Sequence, residues 1–202
     1  MEKIKILGLM TLVVALMSGK ALKYEIGDTV EDFRLKNVDG KMIGLSDYKA
    51  VKGAVIIFDC NTCPYSKAYN DRIIALNKKY SSAGFPLITI NANDPQQSPG
   101  DSFEEMAARA KKKNYDFPYL IDETQQVAKS FGATNTPHVF VLQKTGNDFK
   151  VAYIGTIDNN SKDASAVTKR YVEEAIDALL AGRPVTTQNT KAIGCTIKWK
   201  NT

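Results

Sequence analysis

Two cysteines separated by two residues are the feature of this sequence most able to do chemistry. Cys60 and Cys63 lie in the stretch FDCNTCPYSK and follow an apolar run typical of a strand. The pattern predicts a helix that begins near Asn61, whose first backbone N–H groups lack partners within the helix and stabilise a thiolate. A second cysteine one turn later can close a disulfide with the first. The spacing therefore favours a dithiol–disulfide exchange site.

Other uses of the pair are less consistent with the sequence. A c-type haem motif needs histidine directly after the second cysteine, and Pro64 excludes it. Zinc needs four ligands, and beyond the pair the chain offers only Cys195 and His138. Simple packing is disfavoured because neighbouring cysteines cross-link in an oxidising compartment. A purely structural disulfide stays open as an alternative, and we expect no metal and no other cofactor.

The first 21 residues have the order of a secretory signal peptide. Lysines precede the uncharged run ILGLMTLVVALM, and small residues follow it near Ala21. The run is shorter than the roughly 20 apolar residues that span a bilayer. We therefore predict cleavage of residues 1–21, no stable membrane insertion afterwards, and export, with the bacterial periplasm as the expected compartment.

The composition is that of an ordinary folded protein with one domain. Of the 202 residues, 44% are apolar and 24% are charged, and the formal net charge is +5. The lysines are scattered, which is typical of solvated helix faces, so nucleic-acid binding is not expected. We place the domain at residues 22–184 and a C-terminal tail at residues 185–202.

Strand patterns alternate with helical patterns along the domain. An alternating stretch around Asp39-Gly40 predicts an opening β-hairpin. Three buried central strands and one antiparallel edge strand are predicted at 54–59, 86–93, 138–143 and 151–158. Helices are predicted near 61–80, 101–115, 124–132 and 168–182. This order predicts an α/β domain, with a central mixed sheet flanked by helices.

The segment GATNTPHVF adds a second element of a redox site. Thr136-Pro137 opens a buried strand, where a trans proline would interrupt the ladder, so we predict a cis bond. With the hairpin, the FDCNTCPYSKAY motif and the ending IGCTIKWK, this order resembles the thioredoxin-fold redoxins. That group includes the alkyl hydroperoxide reductase and thiol-specific antioxidant proteins, and the resemblance covers nearly all of the chain after the leader. It implies a thioredoxin-like fold, with Cys60 as an exposed nucleophile and Cys63 as a buried resolving thiol. Thr136 and Pro137 would line the groove where a substrate chain docks.

Two positions depart from close relatives of this group. Thr62 stands where histidine is frequent, and Asn135 stands where cysteine is frequent. Without the histidine, Cys60 lacks a cationic neighbour, so its thiol should be less acidic and the disulfide less oxidising. The exchange is therefore expected to run in the reducing direction.

Few groups are available to tune the pair. Thioredoxins bury an acidic residue where this chain has Ala54, so another group must take the proton of Cys63, and Asp59 and Glu105 are the candidates. His138, the only histidine, is a candidate for tuning the first cysteine. The alternative for His138 is a partly exposed strand residue with no chemical role.

The third cysteine, Cys195, lies in the tail beyond the last predicted helix. It can act as an accessory exchange thiol, link to another chain, or stay buried without chemistry, and burial is the preferred interpretation. Trp199 is expected to hold the same tail by packing.

Three functions are compatible with these features. Exchange needs a disulfide-containing protein or small-molecule substrate, and an external dithiol must then return electrons to the pair. A peroxiredoxin-like thiol peroxidase needs a Pro-x-x-x-Thr/Ser-x-x-Cys motif, but counting back from Cys60 gives Ile57 and Gly53 at the hydroxyl and proline positions. A binding module with a fixed disulfide is the third. The sequence predicts an exported thiol-disulfide oxidoreductase.

Overall fold

The computed structural model describes residues 23–201, so the predicted leader lies outside the described residues. Within that range no helix is both long and apolar enough to cross a membrane. The strands are β1 (Thr29–Val30), β2 (Arg34–Asn37), β3 (Met42–Gly44), β4 (Gly53–Phe58), β5 (Leu87–Asn91), β6 (Tyr119–Ile121), β7 (Asn135–Thr136), β8 (His138–Thr145), β9 (Asp148–Gly155) and β10 (Cys195–Thr196). The α-helices are α1 (Pro64–Tyr80), α2 (Phe103–Lys112), α3 (Gln126–Phe131) and α4 (Tyr171–Leu180). Short 3-10 turns cover Leu45–Asp47, Pro99–Asp101 and Ala164–Ala166.

Eight strands form one mixed sheet in the order β1-β9-β8-β4-β5-β6-β2-β3. The central strands β4, β5 and β6 run parallel, whereas β8 pairs antiparallel with β4 on its other side. Parallel strands need crossover connections, and α1 and α2 supply them. The predicted α/β domain with a mixed sheet and an N-terminal hairpin is confirmed.

Each face of the sheet carries its own apolar core, because side chains alternate along β4. Ile56 and Phe58 pack into one core with α3, and Val55 and Ile57 pack into the other with α1 and α4. All six residues of β4 are buried. Burial on both faces fixes the position of β4, and it therefore fixes the start of the loop that carries the two cysteines.

Two differences from the predicted elements concern the edge of the sheet and the start of the first helix. The run 151–158 was expected to be an edge strand, but β1 pairs with β9 on its outer side, so the edge belongs to Thr29–Val30. A two-residue strand has too little pattern to be recognised in the sequence. The first helix begins at Pro64 rather than near Asn61, because proline suits the first helical turn and Cys63 is the N-cap.

The tail folds back onto the domain after α4. Its strand β10 pairs antiparallel with β7 in a separate two-stranded sheet. Ile197 is buried in the core beside α3, and Trp199 packs against the same core, as expected for a tail held by packing. Full burial of an aliphatic side chain such as Ile197 stabilises the docked tail by about 2 kcal/mol.

Candidate active site

The two cysteines lie in the loop between the end of β4 and the start of α1, at the carboxyl ends of the parallel strands. That edge of an open α/β sheet is where ligands bind in many folds. Cys60 follows β4 by two residues, and Cys63 caps α1. Both cysteines are free thiols in this structure. The helix N-terminus therefore lies at Cys63, not at Cys60.

Neither sulfur is exposed. The accessible fraction is 1% for Cys60 and 2% for Cys63. The resemblance implied an exposed Cys60, and this expectation is wrong, because the loop is enclosed by the Thr136 segment and by the tail. A substrate sulfur can reach the pair only if one of these segments moves.

Cys63 is surrounded by hydrogen-bond donors. A hydrogen bond from the Cys60 thiol lowers the pKa of Cys63 most, and the half-buried Cys195 thiol and the Ser66 backbone N–H add to it against the effect of burial. The Cys195 N–H also donates to Cys63 Sγ, at 3.4 Å. In its thiol form, Cys63 can donate to Thr136 O at 3.1 Å. Together with the helix N-terminus, these donors favour a thiolate on Cys63.

Cys60 has the opposite surroundings. Its pKa is raised by the hydrogen bond it gives to Cys63, then by burial and by the charges of Asp59 and Asp101. The Thr136 hydroxyl lies 3.0 Å from Cys60 Sγ and acts weakly in the other direction. These surroundings favour the protonated form of Cys60.

Asp59 and Arg109 form a buried ion pair beside the loop. Arg109 Nη2 lies 3.2 Å from Asp59 Oδ2, and the two side chains are 12% and 1% exposed. Burial raises the pKa of Asp59 although Arg109 opposes it. Arg109 also donates to the backbone carbonyl of Cys60. The pair holds the first cysteine's backbone and places a carboxyl group next to it that can carry a proton.

Asp101 is a site residue that sequence reasoning missed. Its carboxylate accepts from Asn61 N at 2.6 Å, Thr62 Oγ1 at 2.7 Å and Ser98 Oγ at 2.6 Å. Burial alone would raise the pKa of Asp101, but these hydrogen bonds and one from Asn93 lower it. The sequence signal around Asp101 indicated only a helix start, and Ser102 is in fact the N-cap. Arg109 was missed too, because a cation in a lysine-rich helix is normally solvated.

The segment predicted to bind substrate is covered by the chain's own tail. The Thr136-Pro137 bond is cis, as expected, and Thr136 borders both sulfurs. β10 pairs with β7 at this place, with Cys195 opposite Thr136 and Thr196 opposite Asn135. The chain's own tail therefore lies where the resemblance placed a substrate.

The two remaining tuning candidates have no hydrogen bond to either sulfur within residues 23–201. His138 is 8% exposed, its Nδ1 accepts from Thr134 N at 3.4 Å, and burial lowers its pKa to about 4. The alternative of a partly exposed strand residue is therefore wrong. Glu105 is exposed and lines a surface cavity of about 550 Å³ beside Asn61 and Thr62. In the described part of the chain, no group of three or more Cys, His, Asp or Glu side chains could hold a metal ion.

The chain is similar to proteins of known family and fold. Residues 26–151 match the model of the AhpC/TSA family. The thiol-disulfide oxidoreductase ResA of Bacillus thuringiensis subsp. konkukian is 29% identical over 132 residues, which is 63% of this chain and 69% of that protein. An uncharacterized conserved protein from Geobacillus kaustophilus is 37% identical in its crystal structure, with a TM-score of 0.81 over 89% of this chain and 94% of that one.

A more distant structure identifies the fold. A thiol:disulfide interchange protein of the thioredoxin family from Chlorobium tepidum TLS is 16% identical, with a TM-score of 0.58 over 76% of this chain and 97% of that chain. At this identity the likeness shows the fold alone. The family match covers more than half of the chain, and the curated relatives are oxidoreductases. The chain therefore belongs to the AhpC/TSA family and is an oxidoreductase with a thioredoxin-like fold.

Proposed function

We propose that the chain is a thiol-disulfide oxidoreductase that exchanges a Cys60–Cys63 dithiol with disulfides of proteins or small molecules. The observation that carries this proposal is the unequal pair of sulfurs. Cys63 lies at the N-cap position of α1 and accepts from the Cys195 N–H, whereas Cys60 lies near the carboxylates of Asp59 and Asp101. Cys63 is thus suited to attack the substrate disulfide, and Cys60 to resolve the mixed disulfide that results.

The attacking thiolate in this proposal is Cys63, because its sulfur lies at the N-terminus of α1 and accepts from the Cys195 N–H at 3.4 Å; this reverses the order implied by the resemblance. Cys63 Sγ attacks one sulfur of the substrate disulfide, forms a mixed disulfide and releases the other substrate sulfur as a thiolate. Cys60 then loses its proton and attacks Cys63 Sγ, which releases the second substrate thiolate. Asp59, with its raised pKa, is the buried carboxylate beside Cys60 that can take this proton.

The proposed compartment and electron donor rest on the proposed function and the predicted leader. Each turnover oxidises the pair to a disulfide, so an external dithiol must reduce it again. The signal-like residues 1–21 support export, with the bacterial periplasm as the proposed compartment. Thr136 and Pro137 would bind the substrate backbone once the groove is open.

A thiol peroxidase is the second candidate. Family membership and the Thr136 hydroxyl, 3.0 Å from Cys60 Sγ, favour it. Against it, Ile57 and Gly53 lie within the buried strand β4, where a peroxidase of this type would have its hydroxyl and proline. Arg109 is paired with Asp59 and donates to the Cys60 carbonyl. Its guanidinium is therefore already engaged and does not point a donor at the sulfur, where a bound peroxide would lie.

Insulin reduction driven by dithiothreitol tests the exchange proposal. We expect the Cys63→Ser protein to fall to the rate without enzyme. The Cys60→Ser protein makes the same sulfur-to-oxygen change at the other cysteine. It should still form the mixed disulfide with substrate, but it should reduce insulin more slowly. Undiminished insulin reduction by Cys63→Ser would contradict the assignment of the nucleophile.

Two further measurements separate the alternatives. Reaction of the reduced protein with hydrogen peroxide at the rate of an ordinary thiol is expected, and a rate orders of magnitude faster would put the peroxidase first. A reduction potential below about −300 mV would instead indicate a fixed structural disulfide, as in a binding module.

A further inference from the structure

The tail adds a strand to the segment that precedes the cis-proline. Cys195 lies opposite Thr136 in antiparallel register. Ile197 N donates to Thr134 O at 3.0 Å, and Asn135 Nδ2 donates to Gly194 O at 2.9 Å. Strand addition to an open edge is a general way to bind an extended peptide. Here the chain binds its own peptide.

Gly194 makes the approach close enough to exclude another strand. A Cβ atom at this position would lie 2.1 Å from Thr136 O and 3.0 Å from Pro137 N. Any side chain larger than hydrogen would therefore push the tail away from the cis-proline. A substrate backbone and the docked tail cannot occupy this edge together.

The tail is anchored after Cys195. Ile197 is 3% exposed within the core. Lys198 N donates to Asn93 Oδ1 at 2.9 Å, and Lys200 N donates to Gln125 Oε1 at 2.8 Å. These contacts hold the chain that directly follows Cys195 against the domain.

Cys195 lies directly beside the pair. Its backbone N–H donates to Cys63 Sγ at 3.4 Å, and its thiol acts to lower the pKa of Cys63. Burial, and then the hydrogen bond to Cys63 and the charge on that sulfur, raise the pKa of Cys195 to about 11. The contributions that depend on a Cys63 thiolate vanish once Cys63 is part of a disulfide, so Cys195 becomes easier to deprotonate when the pair is oxidised.

We propose that Cys195 is a third exchange thiol, and that residues 194–197 occupy the place of the substrate strand while Cys195 bonds to Cys63. The inference rests on the proposed function and names the regulation of the same site. The docked tail closes the groove, and a Cys63–Cys195 disulfide fixes it there.

The step needs no added oxidant or reductant. The Cys195 thiolate attacks Cys63 Sγ of the Cys60–Cys63 disulfide, the Cys63–Cys195 bond forms and the Cys60–Cys63 bond breaks. The electron pair leaves on Cys60 Sγ, which takes up the proton that Cys195 released. The same attack on a Cys63–substrate mixed disulfide releases the substrate thiolate instead, so Cys195 is a second resolving thiol.

Disulfide mapping of the full chain after reaction with oxidised glutathione tests this proposal. Trypsin leaves both motif cysteines in one peptide, residues 53–67, and Cys195 in another, residues 192–198. A Cys60–Cys63 bond stays within the first peptide, whereas a Cys63–Cys195 bond links the two. In the Cys60→Ser protein, we expect the linked peptides as the main product and little glutathione left on Cys63.

The outcomes separate this inference from the proposed function. If the wild-type protein closes Cys60–Cys63 but Cys60→Ser keeps its glutathione adduct, only the role of Cys195 is overturned. If neither protein reacts with oxidised glutathione, the proposed function fails and this inference fails with it. Linked peptides joining two different chains, seen as a covalent dimer, would also overturn the proposal.

A variant that keeps all three thiols tests the docked strand. Gly194→Ala should slow Cys63–Cys195 closure severalfold in the Cys60→Ser background and speed the first attack on oxidised glutathione. Ile193→Ala is the matched control, because Ile193 is 39% exposed next to the same position. Equal closure rates in Gly194→Ala and Ile193→Ala would show that the strand pairing plays no part.

Discussion

The two cysteines of the motif are three residues apart, yet their surroundings are opposite. Cys60 follows a strand and lies near the carboxylates of Asp59 and Asp101, which resist a second negative charge. Cys63 opens a helix and receives hydrogen bonds from N–H and S–H donors. The comparison teaches that the surroundings of each sulfur, rather than its order in the motif, decide which one is favoured as the thiolate.

The largest expected effect is on the thiolate itself, which is titrated by its absorbance near 240 nm to show which cysteine carries the charge. In the reduced wild-type protein, we expect a first step well below the ordinary thiol pKa of about 8.5, because Cys63 is stabilised by its donors. Cys63→Ala should move the first step above that value. Cys60→Ala should raise it only in part, since the helix N-terminus and the Cys195 N–H remain. A low step that survives Cys63→Ala and disappears in Cys60→Ala would place the thiolate on Cys60.

The next effect concerns the ion pair on the Cys60 side. Arg109→Leu removes the partner of a buried carboxylate, so we expect the free energy of unfolding at pH 7 to fall by about 3 kcal/mol. Protonation of Asp59 would limit the loss, so the loss should be smaller at lower pH. Urea unfolding at pH 7 and pH 5.5 measures both effects.

A matched change on the surface serves as the control for Arg109→Leu. Arg34 pairs with Asp47, with both side chains about half exposed, and Arg34→Leu should change stability little. The double variant Asp59→Asn/Arg109→Leu should recover part of the loss. Equal destabilisation by Arg34→Leu and Arg109→Leu would contradict the importance of the buried pair.

Asp101→Asn is expected to have a smaller effect, on both the loop and the sulfur. The amide keeps the shape but weakens the charge-assisted bonds to Asn61 and Thr62, so stability should fall by about 2 kcal/mol. Removing the charge should also lower the pKa of Cys60. Urea unfolding and the thiolate titration check these results, with Asp39→Asn in an exposed turn as the control. A higher Cys60 pKa in Asp101→Asn would contradict the prediction that the charge of Asp101 raises this pKa.

The sequence was sufficient for the features set by local pattern. β-branched runs identified β4, β5 and β8, and the Asp39-Gly40 turn identified the hairpin. The spacing of Cys60 and Cys63 indicated the candidate site.

Contacts between residues far apart in the sequence could not be predicted from local patterns. Asp101 reaches the motif loop across 40 residues of sequence, and Cys195 reaches Cys63 across 132. Neither carries a local signal, because an acidic residue before a helix and a lone cysteine in a tail are both common. The helix start was misjudged for a related reason: the hydrogen bonds that hold Asn61 and Thr62 outside the helix come from Asp101.

A change at His138 should have the smallest effect on stability, and it should leave the titration of the two cysteines unchanged. Burial lowers its pKa from 6.5 to about 4, so the neutral ring is favoured in the folded protein and the unfolded chain binds a proton first. Stability is therefore complete above pH 6.5 and is lost as the pH falls toward 4. Between pH 7.5 and 5.5, wild type should lose about 1.4 kcal/mol more than His138→Phe, measured by urea unfolding. The thiolate step should stay in place, because the hydrogen bond found for the ring is from Thr134 N. A shift of that step in His138→Phe would instead make the histidine a tuning residue of the sulfurs.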